Sequence, residues 1–210
     1  MKNAILKASK ADAIPAGESG LWKVTKLNAS HPVVATEVST MRKAVVPPGH
    51  YTQLFRLTEA TMVNGGECVM HDFPQELATH LQFMLKAHGR VLITGLGLGC
   101  VIRGCLANPA VTNITVIEKS RDVIKLVWPY MPEKERIALI HADAVEWCKK
   151  TRRQFDCAWH DLWTDEGAGE DHLQVVHWHL LGAMMHKTTF QGAWQFPRYF
   201  RKTWREFNVI

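Results

Sequence analysis

The spacing of apolar and polar positions changes twice along the chain. Residues 1 to about 18 hold few large apolar side chains and end in Pro15-Ala16-Gly17-Glu18-Ser19-Gly20, which predicts a loosely held arm. From Leu21 to Met70 the apolar positions come in short β-like runs: Leu21–Leu27, Pro32–Val38, Tyr51–Leu57 and Glu67–Met70. Turn residues at Pro47-Pro48-Gly49 and Asn64-Gly65-Gly66 separate them. At His71 a helical period begins. Asp72 suits a cap with Pro74 in the first turn, and Leu77, Leu81, Met84 and Leu85 follow at helical spacing up to Gly89. Strand-like and helix-like segments then alternate: Val91–Thr94, Cys100–Leu106, Ile114–Glu118, Arg121–Tyr130, Ile137–Asp143, Ala144–Lys150, Phe155–Asp161 and Asp171–Met185. Strands alternating with helices across short connections predict an α/β fold, a doubly wound and mostly parallel sheet with helices on both faces. The expected division is a β-hairpin segment with its arm over residues 1–72 and the α/β domain over 73–210. About 25 residues follow the last predicted helix, so either the sheet is truncated on its C-terminal side or an oligomer covers its edge.

The first strand of this alternation runs into Gly95-Leu96-Gly97-Leu98-Gly99 and then a helix. A sharp turn at a strand's carboxyl end, with backbone brought close to a ligand, requires residues without a Cβ. Glu118 ends the next strand, where a carboxylate can accept hydrogen bonds from both ribose hydroxyls of a nucleotide. The competing reading is that the glycines permit tight packing and Glu118 is a solvated strand end. The dinucleotide spacing fails, because its third glycine falls at Cys100.

Residues 90 to 165 resemble the class I S-adenosylmethionine-dependent methyltransferases, and within them the spermidine-synthase-like branch. The resembling stretches are Val91–Gly99, Asn108–Glu118, His141–Ala144 and Phe155–Asp161, about a third of the chain. The resemblance implies a Rossmann-like domain that binds S-adenosylmethionine or its decarboxylated form. It implies that Gly95, Gly97 and Gly99 line the methionine and ribose part of the cofactor and that Glu118 holds the ribose. Asp143 would face the adenine amino group, with the Ala144 backbone beside the ring. Asp161 falls where spermidine synthases keep a catalytic aspartate. Those enzymes also carry an aspartate within the glycine turn, where this chain has Leu98, and they follow the catalytic aspartate with small residues, where this chain has Leu162-Trp163-Thr164-Asp165. The leading expectation is therefore a methyltransferase. Aminopropyl transfer or a sulfonium lyase is the alternative on the same scaffold, and a non-catalytic nucleotide-binding or oligomeric module is the reading from another class.

Asp161 at a strand's carboxyl end suits a general base or substrate contact; a cofactor contact and strand capping are its other readings. His160 would point to the opposite face, beneath a helix. Trp163, past the strand end, could stack on a ring or cation, although a core tryptophan is the commoner use. Glu76 and His80 share a helix face at i, i+4, as a solvated ion pair or as substrate contacts. His172, His177, His179 and His186 crowd the fourth helix of the α/β region without the spacing of a metal motif, so no metal is expected.

Composition narrows the partners. No apolar run approaches the ~20 residues that span a bilayer, and no signal peptide is apparent, so a cytoplasmic protein with reduced cysteines is expected. The net charge of +5 gathers at Lys149, Lys150, Arg152 and Arg153 and at Arg198, Arg201, Lys202 and Arg205. In the tail these cations alternate with aromatics, which suits single-stranded nucleic acid or, more simply, rings packed on the domain with snorkelling cations. A small-molecule acceptor is favoured over nucleic acid, and a homo-oligomer is expected.

Overall fold

The computed structural model describes residues 1–36, 43–58, 65–162 and 170–194. They divide into two compact units that interleave along the chain: Met1–Leu81, Gly97–Ala107 and Ser120–Pro132 in the first, and Gln82–Leu96, Asn108–Lys119 and the described residues from Glu133 onward in the second. Trp163, the tail from residue 195 onward and Asn64 of the expected hairpin turn lie outside the described residues.

The first unit contains helix α1 (Lys2–Ala8) and strands β1 (Gly17–Ser19), β2 (Trp22–Ala29), β3 (Val33–Thr36), β4 (Lys43–Val46), β5 (Gly49–Arg56) and β6 (Glu67–His71). It also holds the start of helix α2 (Pro74–Lys86), and helices α3 (Cys100–Leu106) and α4 (Arg121–Val127). Four strands form an antiparallel sheet in the order β1-β2-β5-β6, and β3 and β4 form a separate ribbon. Ala29, Val46, Tyr51 and Phe73 make a small core, with the Tyr51 and Phe73 rings edge to face.

The N-terminal arm departs from expectation. Residues 2–8 form a helix that lies against α3, and Ile5, Ala11 and Ile14 are wholly buried. The cause is a residue distant in sequence. Asp72 is fully buried and does not serve as a helix cap. Its Oδ1 accepts the Thr52 N–H at 2.8 Å, its Oδ2 accepts the Ala11 N–H at 2.9 Å, and Lys10 Nζ lies 3.0 Å from Oδ1. Lys10 also sits over the Tyr51 ring. One carboxylate thus ties the arm to β5, and three apolar side chains suffice to seal the join.

The second unit is built on five parallel strands: β7 (Gly89–Thr94), β8 (Val111–Glu118), β9 (Ile137–His141), β10 (Phe155–His160) and β11 (Thr188–Ala193), in the order β11-β10-β7-β8-β9. Helices α5 (Ala144–Lys150) and α6 (Glu170–Met184) complete it. The central β7 is buried on both faces at Val91, Leu92 and Ile93, as a parallel strand covered on both sides requires. Leu92, Ile117, Ala158, Leu180 and Met184 lie in the core beneath α5 and α6. The strand β11 was not expected. Its sequence, Thr-Thr-Phe-Gln-Gly-Ala, has no apolar run, and its pairing rests on a buried polar side chain. Gln191 is wholly buried; its Nε2 donates to the Leu181 carbonyl and its Oε1 lies 3.3 Å from His160 Nε2.

Both units bury histidines. Because Gln191 donates through its nitrogen, its oxygen accepts from His160 Nε2–H, and His160 Nδ1 accepts from Thr94 Oγ1 at 3.0 Å. Each nitrogen of the neutral ring is satisfied. Burial lowers the His160 pKa to about 4. Burial, reinforced by the nearby His160, lowers that of His177 to about 3. In the first unit, burial and then the proximity of His71 lower that of His80 to about 3.

Two outcomes follow from these contacts. Asp72→Ala removes the carboxylate beside Lys10 and leaves the buried Thr52 and Ala11 N–H groups without their acceptor, so urea unfolding at pH 7 should show a loss of about 2–5 kcal/mol. The second concerns pH. The three histidines fold neutral with depressed pKa values, so the unfolded chain takes up protons first as pH falls. Their contribution is fully present above pH 6.5, the ordinary histidine value, and is lost progressively as the pH falls through the folded values of about 4 and about 3. The urea midpoint should therefore be lower at pH 5 than at pH 7; equal midpoints would contradict neutral buried rings.

Candidate cofactor site at the carboxyl ends of the parallel strands

Four backbone hydrogen bonds extend the parallel ladder of the second unit past its strands. Trp194 N–H donates to the His160 carbonyl, Asp161 N–H to Thr94, Gly95 N–H to Ile117, and Ala142 N–H to Glu118, at 2.8 to 3.0 Å. They set Trp194, Asp161, Gly95, Glu118 and Ala142 in a line along one sheet edge, where ligands of open α/β sheets bind.

The turn after β7 is held from two sides within this unit. Gly95 has φ +94°, a conformation that side chains rarely adopt, and a Cβ there would overlap the Asp161 carbonyl oxygen. The Glu118 carboxylate reaches back to the turn, and its Oε2 accepts the Leu96 N–H at 2.7 Å. Glu118 is half-buried. A carboxylate offers about four acceptor positions, and the Leu96 N–H takes one of them. The structure thus gives Glu118 a structural contact of its own as well.

Gly97, Leu98 and Gly99 belong to the first unit. Both glycines have positive φ, and a Cβ on either would lie 2.6 Å from a thioether sulfur, Met70 Sδ at Gly97 and Met131 Sδ at Gly99. Leu98 is wholly buried, and its N–H points at Met70 Sδ, 3.2 Å away. The left-handed backbone, more than contact with the flexible thioethers, calls for glycine at these two positions. Nothing in the sequence marks Met70 for this contact, since it is one apolar residue at a strand end.

Asp143 caps α5. Its Oδ1 accepts the Glu146 N–H at 3.0 Å, and the residue is exposed. Ala144, the first residue of the helix, is buried. Asp143, Ile140, Ala142 and Trp147 border an open hollow of about 520 Å³, within the size range of small-molecule clefts. Asp161 is the first residue past β10 and is half-buried. His160 points into the core, as its alternation with Asp161 predicts.

Glu76 and His80 are in the first unit, and the expectation of a solvated pair fails there. Glu76 is 8% exposed and His80 is fully buried. Glu76 turns to His71, with Oε2 at 2.6 Å from Nδ1 and 3.3 Å from the His71 backbone nitrogen. The apolar period of α2 does not show this, because it is set by β6 lying before the helix. Among the described residues, no group of three or more His, Cys, Asp or Glu side chains is arranged to hold a metal ion. No helix among them is long and apolar enough to cross a membrane. The five cysteines are free thiols, and burial is the largest cause raising Cys68 and Cys148 to about 12.

Comparison with known proteins places this arrangement in a family. Residues 71–190, from the end of β6 into β11, match the family described as spermine/spermidine synthase domain. No curated protein matches. Among solved structures, spermidine synthase from Thermotoga maritima is 16% identical over 80% of this chain and 52% of its own, with a TM-score of 0.45. TrmN from Thermus thermophilus is 15% identical over 55% of this chain and 35% of its own, at 0.41. An S-adenosylmethionine-dependent methyltransferase from Clostridium acetobutylicum is 13% identical over 55% and 46%, at 0.39. The chain thus spans about half the length of that spermidine synthase. The family match covers more than half of the chain, and the chain therefore belongs to the spermine/spermidine synthase domain family.

Proposed function

We propose that this chain is an S-adenosylmethionine-dependent transferase, and that it transfers the methyl group to a small-molecule acceptor. The observation that carries the reading is the Glu118 carboxylate held against the glycine turn by the Leu96 N–H at 2.7 Å. It sets an acid at the end of β8 beside backbone that a ligand can approach. Bound there, the cofactor supplies an activated sulfonium carbon, and the chemistry left to the protein is binding, alignment and proton management. Glu118 would accept the ribose hydroxyls. Asp143 would accept from the adenine amino group, and the Ala144 backbone would lie by the ring. Asp161, on the same line of strand ends, would hold or remove the acceptor's proton and orient it for in-line attack.

Leu98 favours methyl over aminopropyl transfer. By the resemblance, an aspartate at this position would hold the ammonium of the aminopropyl group; here the side chain is apolar and wholly buried. The family match favours the second reading, aminopropyl transfer from the decarboxylated cofactor.

Two measurements decide these points. Glu118→Ala should weaken calorimetric binding of S-adenosylmethionine at least tenfold, by about 1.4 kcal/mol or more, while the thermal unfolding transition stays cooperative. Unchanged affinity would remove Glu118 from the site. Turnover should release S-adenosylhomocysteine with the parent chain, and Asp161→Asn should slow it by about a hundredfold or more with cofactor affinity kept. Release of methylthioadenosine instead would establish aminopropyl transfer or lyase chemistry.

A further inference from the structure

Helix α6 carries a buried imidazole that the proposed chemistry does not use. His177 is 1% exposed, and Leu180, Leu181 and Met184, further along the helix, are wholly buried. A polar ring in such a stripe costs free energy unless it is paired. Nε2 accepts the Leu162 N–H at 3.2 Å. That fixes the tautomer with the proton on Nδ1. Leu162 is the second residue past β10.

Asp161 lies next to this contact in the chain. Its own N–H is held by the Thr94 carbonyl at 3.0 Å. Its carbonyl oxygen occupies the space where a Gly95 Cβ would stand. The next N–H in the chain, that of Leu162, is the one His177 accepts. The peptide groups on both sides of Asp161 are therefore fixed, and with them the direction in which its carboxylate leaves the backbone.

We propose that His177 is a positioning residue for Asp161, holding the segment past β10 through the Leu162 N–H so that the carboxylate meets the acceptor in register. This rests on the reading of Asp161 as the group that meets the acceptor. An imidazole suits the task because its rigid ring accepts the Leu162 N–H from the buried face of α6. A displacement of about 1 Å at a reacting group costs on the order of a hundredfold in rate, so the anchor should act on turnover more than on cofactor binding.

Two polar substitutions test the contact. In His177→Gln the carboxamide reaches as far as Nε2 and can still accept from Leu162. In His177→Asn it reaches only as far as Nδ1 and loses Leu162. Amide hydrogen exchange at Leu162 in the full chain needs no acceptor, and H177N should raise it about tenfold or more while H177Q stays near the parent. With S-adenosylmethionine and the acceptor from the product assay, kcat should fall about tenfold or more in H177N. Calorimetric affinity for S-adenosylmethionine should stay within about twofold, and H177Q should restore kcat to within about threefold. Unchanged Leu162 exchange in H177N would overturn the anchor. Faster exchange with parental kcat would overturn its link to Asp161. If Asp161→Asn turned over at the parental rate, the reading of Asp161 would fail and the positioning role with it, whereas the exchange data would still report the anchor by itself.

Discussion

Gly95 has room for a hydrogen and nothing larger. The carbonyl oxygen of Asp161 stands where its side chain would be, so the turn after β7 and the end of β10 meet backbone to backbone. That approach lets the Asp161 N–H extend the ladder from Thr94 and lets the Gly95 N–H extend it from Ile117. A larger residue would part the two strand ends, and the line from Trp194 to Ala142 would break in the middle. Any role of Asp161 or Glu118 toward a ligand depends on that spacing.

Around this contact the second unit uses polar side chains to hold backbone groups and one another. Glu118 holds Leu96, Asp143 holds the first turn of α5, Thr94 and Gln191 hold His160, and His177 holds Leu162. Such groups stabilise little compared with the apolar core, yet each is costly to leave unpaired once buried. The arrangement is thereby limited to one register. Each contact also leaves the residues at the strand ends a defined direction, which a site for chemistry requires.

The first unit solves a different problem with the same means. Its sheet is small, and the arm that covers it has only Ile5, Ala11 and Ile14 as fully buried apolar anchors. Asp72 supplies the specificity by joining Lys10, Ala11 and Thr52. A buried carboxylate of this kind does not show in a hydrophobic pattern, and its position just before Pro74 made it look like a helix cap.

Period and glycine chemistry alone determined the alternation of strands and helices from α2 to α6, the turn at Gly95 and the acid at Glu118. Those features are local: a strand buried on both faces is a short apolar run, and a positive φ calls for glycine wherever it occurs. The tertiary structure decided what has no local signal. The strand β11 is held by partners distant in sequence, with Gln191 bonded to His160 and the Leu181 carbonyl and Phe190 stacked on Phe83. Helix α1 is held by Asp72, some sixty residues away in sequence. Glu76 faces His71 rather than solvent because β6 ends beside the start of α2. In each case a buried polar group must find a partner, and the fold, rather than the neighbouring residues, supplies it.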